Sequence, residues 1–192
     1  MEEKNKLTFW QNLLEYLRDV CYMLAVVVVL FTFCVRLVVV SGESMFDTLL
    51  DGDYLILMDD AISGVEQGDI VVAAMDSFRD GSPIVKRVIA TEGQTVDINF
   101  STGDVFVDGV KLDEPYIHSP TMLAEGTEFP LTVAPGHLFL MGDNRMESLD
   151  SRSVQIGQVD CREILGKAVF LLLPGTNYNE YPRDFSRIGG LE

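Results

Sequence analysis

From Val20 to Val35 the run VCYMLAVVVVLFTFCV carries no charge, and after Arg36 the apolar character resumes through Val40. Coiled as a helix, residues 20–40 would reach roughly 31 Å at about 1.5 Å per residue, close to the thickness of a hydrocarbon core. The length and the missing polar face argue against a buried core helix or strand, although the valines are compatible with one. A transmembrane helix over 20–40 is therefore expected, with Arg36 near its end reaching the headgroups. A cleaved leader would have a shorter apolar region and an A-x-A-like site, which VVVSGES does not supply. Lys4, Lys6 and Arg18 precede the run and the segment after it is acidic, so residues 1–19 are expected in the cytoplasm and 41–192 outside it.

After Val40 the pattern changes to short apolar runs punctuated by Gly, Asp and Pro. DYLILM, DIVVAAM, PIVKRVIA, TVDINF, DVFVDGVKL, HLFLMG and AVFLLLP all read as strands. VDGV, Val107 to Val110, has the chemistry of a tight hairpin turn, and only MFDTLLDGD suggests a helical turn. The expected fold is mainly β and antiparallel, either two packed sheets or a partly open barrel.

Charge and cysteine content narrow the function. The chain has 14 basic and 30 acidic residues, a formal charge of −16, and no visible basic patch, which argues against nucleic acid as a partner. Of three cysteines, Cys21 and Cys34 lie in the apolar run, so Cys161 is alone in the remainder and no disulfide can form there. With His118 and His137 the only histidines, and no CxxC or HExxH pattern, a zinc site is poorly supported.

Three patches carry potential chemistry. Ser44 follows Ser41 and Gly42, small neighbours that admit a carbonyl and leave backbone N–H groups for an oxyanion, though a serine beside a glycine is ordinarily just a turn. Its base could be a histidine, yet His137 sits in a PGH turn and His118 precedes Ser119 and Pro120, both ordinary surface settings. Lys86 shares a strand face with Ile84 and Val88, and such surroundings favour the neutral amine of a general base. Its plain reading is a solvated lysine on an edge strand. The third patch is MGDNRMESLDSR, Met141 to Arg152, with turn formers Gly142, Asp143 and Asn144 and a possible Asp150–Arg152 brace.

In order along the chain, SGESMFDTL (41–49), GDYLIL (52–57), PIVKRVIATEG (83–93) and MGDNRMESLDSR (141–152) resemble the boxes of type I signal peptidases, with further likeness in VFVDGVKLDEPYI and ILGKAVF. These are membrane-bound serine proteases that remove signal peptides from exported proteins. The resemblance implies a signal-peptidase-like antiparallel β catalytic domain behind one N-terminal transmembrane helix, in the plasma membrane, working without a metal or other cofactor. It implies Ser44 as nucleophile and Lys86 as general base, with Ser148 hydrogen-bonding the lysine amine. Asp150 and Arg152 would pair in support, Asp143, Asn144 and Arg145 would hold the adjacent turn, and Gly42, Met45 and Val85 would shape the groove and oxyanion pocket. Substrates would be preproteins with small residues one and three positions before the cut, met at the lipid bilayer.

Two positions depart from the pattern. Gly42 stands where some relatives carry a hydroxyl that assists the oxyanion, so a backbone N–H must carry more of that role. Asp47 replaces the usual proline. Near Lys86, its carboxylate would favour the protonated amine and shift activity to higher pH than in Asp47→Pro; the plainer reading is a turn-capping aspartate facing solvent. Asp47 also keeps open a non-catalytic anchored relative that binds exported segments. A self-cleaving repressor-type protease would share the Ser–Lys chemistry but lacks a reason for the apolar run, and a membrane-tethered structural β protein is the blandest alternative. The overall charge suggests a preference against acidic mature regions, limited by screening beyond roughly 8 Å.

Overall fold

The computed structural model describes residues 2–33, 35–59, 64–75, 78, 81–178 and 182–191. Cys34, counted above with the apolar run, lies outside them. The chain divides into two units, Met1–Val35 and Arg36–Glu192. The first is essentially one helix, α1, Glu2–Phe33.

The expected span over 20–40 is not one helix. α1 ends at Phe33, and Val35–Val39 is extended and forms a strand, β1. β-branched residues restrict χ1 in a helix and pack well on a pleated surface, so RLVVV is at home in a sheet. Arg36 Nη1 donates to the Leu165 carbonyl at 3.0 Å, holding its side chain on the sheet instead of among headgroups. The uncharged stretch left within α1, Val20–Phe33, is about 21 Å long at 1.5 Å per residue, short of a hydrocarbon core. Among the described residues no helix is long and apolar enough to cross a membrane.

The remaining strands are β2 (Tyr54–Met58), β3 (Ile70–Ala73), β4 (Ile84–Ala90), β5 (Thr95–Asn99), β6 (Asp104–Val107), β7 (Val110–Lys111), β8 (Leu131–Thr132), β9 (His137–Met141), β10 (Val159–Asp160), β11 (Ile164–Leu173) and β12 (Gly189–Gly190). The larger sheet runs β1-β2-β11-β3-β4-β9-β10, with β12 also on β11, and the smaller runs β7-β6-β5-β8. Neighbours from β2 to β10 and throughout the smaller sheet pair antiparallel. Each strand-like run in the sequence thus contains a strand. The hairpin at Val107–Val110 forms as its composition requires, with Asp108 and Gly109 both at positive φ (52° and 78°).

β4 lies between β3 and β9 and is covered on both faces. Ile84 and Val88 join a core with Val71, Phe78 and Leu140. Val85 borders a second core containing Met45, Leu55 and Leu57. Ile89 and Ala90 belong to a third, with Val96 and Phe139. Lys86 and Arg87 are therefore carried into the interior by their neighbours, 4% and 3% exposed. The edge-strand reading of Lys86 does not hold, because β3 pairs with β4 from Ile84 to Arg87, setting Val71 opposite Lys86, and β9 lies on the other side.

Candidate active site

Beyond β1 the chain makes a turn closed by two backbone bonds, Val40 N–H to the Asp53 carbonyl (2.8 Å) and Gly52 N–H to the Val40 carbonyl (2.9 Å). Gly42 sits within it at φ +95°, open to glycine at little cost, and its N–H donates to Asp51 Oδ1 at 2.9 Å. The helical turn read in MFDTLLDGD follows, with Leu49 N–H bonded to the Met45 carbonyl at 2.8 Å. Met45 and Leu49 anchor it in the second core. Asp53, fully buried, accepts from Leu50 N–H at 2.8 Å and from Arg187 Nη2 at 2.7 Å, tying the turn to the C-terminal segment.

Ser44, which opens this helical turn, lies opposite β4. Its Oγ is 2.7 Å from Lys86 Nζ, and the amine also donates to the Val85 carbonyl at 3.0 Å. Both side chains line a cleft of about 180 Å³, whose walls include Val40, Met45, Phe78, Ile84 and Val85. A buried amine within hydrogen-bond reach of a serine hydroxyl is the arrangement needed to withdraw that hydroxyl's proton.

The loop 142–153 braces this pair from behind. Asn144 N–H donates to the Ser44 carbonyl at 3.0 Å, and its Nδ2 to the Glu43 carbonyl at 3.2 Å. Asp143 makes a two-pronged buried pair with Arg87, at 2.9 and 2.7 Å, and also accepts from Thr48 Oγ1. Arg87 lies over the Tyr116 ring, 4.0 Å from its centroid. Arg145 donates to the Gly142 carbonyl, to Thr121 Oγ1 and to Glu114. Asp150 and Arg152, both fully buried, pair at 2.8 Å, and Asp150 also accepts from Gly142 N–H at 3.0 Å. Glu125 approaches Arg152 at 3.4 Å; burial pushes its carboxyl up against the opposing pull of that guanidinium. Among the described residues, no group of three or more His, Cys, Asp or Glu side chains is arranged to hold a metal ion.

Two expectations change, and one of the two readings of Asp47 is favoured. Ser148 does not bond the lysine: its Oγ is buried without a hydrogen-bond partner among the described residues, while the amine turns to Ser44 and Val85. Gly42 N–H is occupied by Asp51 and is not available to an oxyanion. Asp47 faces solvent, as in the plainer reading, but its carboxylate meets His118 Nδ1 at 3.0 Å in place of a turn cap, and at 63% exposed its charge is screened by water. His137, for its part, meets the Pro135 carbonyl. Arg87, Thr48, Thr121, Glu114 and Asp53 also belong to the frame and were not singled out from the sequence. Arg87 alone carried a signal, a second cation in the middle of an apolar strand.

A model of the family described as "Signal peptidase, peptidase S26" matches residues 13–173. The chain belongs to this family. Signal peptidase I of Bacillus amyloliquefaciens is 31% identical over 176 residues, covering 87% of this chain and 86% of that one. Signal peptidase I T of Bacillus subtilis is 33% identical over 144 residues, covering 70% and 72%. A crystal structure of a signal peptidase I from Enterococcus faecalis is 30% identical, covers 54% of this chain and 95% of its own, and has a TM-score of 0.42. As a member of the S26 signal peptidases, the protein is a serine endopeptidase of the signal peptidase I type.

Proposed function

We propose that the protein removes signal peptides from preproteins by acyl transfer through Ser44, with Lys86 as general base. The observation that carries this reading is the 2.7 Å contact between Lys86 Nζ and Ser44 Oγ at the wall of an open cleft, with the lysine 4% exposed. Removal from water favours the amine over the ammonium, the form required of a base. Lys86 takes the hydroxyl proton as Oγ attacks the scissile carbonyl, and the negative charge develops on the carbonyl oxygen. The Ser44 N–H is the donor for that oxyanion, since Gly42 N–H is committed to Asp51. The protonated Lys86 then gives its proton to the leaving amine, and water attacks the acyl-serine with Lys86 again as base. Asn144, through the Ser44 carbonyl, and the Asp143–Arg87 and Asp150–Arg152 pairs hold the parts in register.

The cleft's small volume and its Val40, Met45, Ile84 and Val85 walls suit the small side chains expected one and three residues before the cut. Membrane association belongs to the same proposal. In α1, Tyr22, Met23, Leu24, Val26 and Val29 are all more than half exposed, an apolar surface suited to lipid and to substrates whose own apolar segments lie in a bilayer.

The test is cleavage, in detergent, of a preprotein with alanine at both small-residue positions, by wild type, Ser44→Ala and Lys86→Ala. Each variant is expected to lose at least about a thousandfold in kcat/KM. Penem labelling that requires Ser44 would identify the nucleophile directly. Substantial cleavage by either variant overturns the dyad, and a well-folded wild type that neither cleaves nor labels is a binding relative.

A further inference from the structure

Apart from Lys86, the charged side chains lining the Ser44 cleft, among the described residues, are two carboxylates, Glu43 and Glu147. Both are exposed. They come from different loops and converge because those loops are stitched together at the nucleophile. Glu43 immediately precedes Ser44, and Asn144 holds the carbonyls of both residues. Glu147 immediately precedes Ser148, and its N–H is bonded to the Asn144 carbonyl at 3.1 Å. One asparagine thus fixes the backbone positions from which both acids reach the cleft.

Glu43 is further oriented. Asn177, 3% exposed, donates through Nδ2 to Glu43 Oε1 at 3.1 Å. This buried amide holds one oxygen of the Glu43 carboxylate, so the acid next to the nucleophile keeps a fixed place at the cleft. The buried guanidinia nearby do not offset this charge, because Arg145 and Arg152 are each engaged by carboxylates of their own.

We infer that Glu43 and Glu147 make the enzyme select for a basic side chain, and against an acidic one, next to the scissile bond of its preprotein substrates. The inference rests on the reading of the cleft as the site of peptide cleavage, and it gives the overall negative charge a local point of action. Charges of like sign brought together at a docking surface suppress wrong partners, and exposed pairs act through a screened field. The discrimination is accordingly modest and sensitive to salt.

The experiment uses peptides with alanine one and three residues before the cut. Lys, Gln or Glu is placed in turn two residues before the cut and at the first and second residues after it. Values of kcat/KM are compared for wild type, Glu43→Gln, Glu147→Gln, the double variant and Glu147→Lys, at low and high salt. At one or more of these positions wild type is expected to prefer Lys over Glu by about three- to tenfold. That ratio should fall towards one in the double variant and at high salt, and invert in Glu147→Lys. Cleavage with no Lys-over-Glu preference at any position, or with a preference that survives the double substitution, overturns the inference alone. Failure of wild type to cleave even the glutamine peptides overturns the proteolytic reading, and the inference with it.

Discussion

Gly142 shows how tightly single residues are specified around Ser44. A β-carbon there would overlap Ser148 Oγ and Cβ and the carbonyl oxygen of Ser44, so the loop bearing Asp143 and Asn144 can press against the nucleophile only if this position has no side chain. Gly142→Ala should push Ser44 away from Lys86. Because reacting groups are sensitive to displacements of about 1 Å, a loss of roughly a hundredfold in kcat/KM is expected in a peptide-cleavage assay, with the protein still folded. Tyr116 gives a second residue-level test. Burial, with the Glu114 carboxylate adding to it, pushes its phenol up to about 12 from an ordinary 10. The raised value means that the folded state keeps a proton the unfolded chain releases. Stability is therefore unaffected below about pH 10 and declines as pH rises towards 12. Alkaline unfolding followed by circular dichroism should show this decline in wild type and less of it in Tyr116→Phe.

At the scale of elements, β1 and β4 decide most of the site's geometry. β1 delivers the chain to the Ser44 turn, and β4 presents Lys86 opposite it. If residues 35–39 were part of a lipid-facing helix, Leu37→Asp and Val38→Asp would be comparably damaging. In the sheet they are not equivalent: Leu37 is 57% exposed, whereas Val38 packs against the second core. Val38→Asp is expected to cost about 2 kcal/mol or more and Leu37→Asp no more than about 0.5 kcal/mol, as read from chemical denaturation. Among the elements, β2 to β6, β9 and β11 were legible from alternating or continuous apolar runs bounded by Gly, Asp and Pro. β8, β10 and β12 were not, since two-residue strands have no periodicity and exist only through their partners, as Gly189–Gly190 does through Phe170 and Leu171. β1 was misread because an unbroken valine-rich run looks alike in a buried strand and in a membrane helix.

For the whole molecule, the exposed apolar surface of α1 and the strongly negative charge of the chain have different consequences. On the proposed reading the first would supply affinity for lipid, while the second would supply none for anionic headgroups. Co-sedimentation with neutral phosphatidylcholine vesicles should therefore retain the protein, with little gain from added anionic lipid. Leu24→Asp combined with Val26→Asp should weaken that partition by roughly tenfold or more. Peptide cleavage in solution should survive the same pair of changes, because neither residue belongs to the cleft.

Motif spacing and local composition carry the class of chemistry and the mainly β architecture without reference to the fold. Ser44, Lys86, and the turn formers and charged residues from Asp143 to Arg152 occur at spacings that carry the family's pattern, and strand-forming runs announce themselves through local composition. The resemblance already pairs Ser44 with Lys86, whereas the other meetings exist once the chain is folded. Folding leaves Ser148 Oγ without a hydrogen-bond partner among the described residues, gives Gly42 N–H to Asp51, turns Asp47 towards His118, and brings Arg87 and Thr48 onto Asp143. Pairings of this kind join positions as much as about a hundred residues apart, and they follow from strand order and loop packing. Local propensity fixes a strand and the alternation of its faces, but it cannot fix the neighbour those faces will meet.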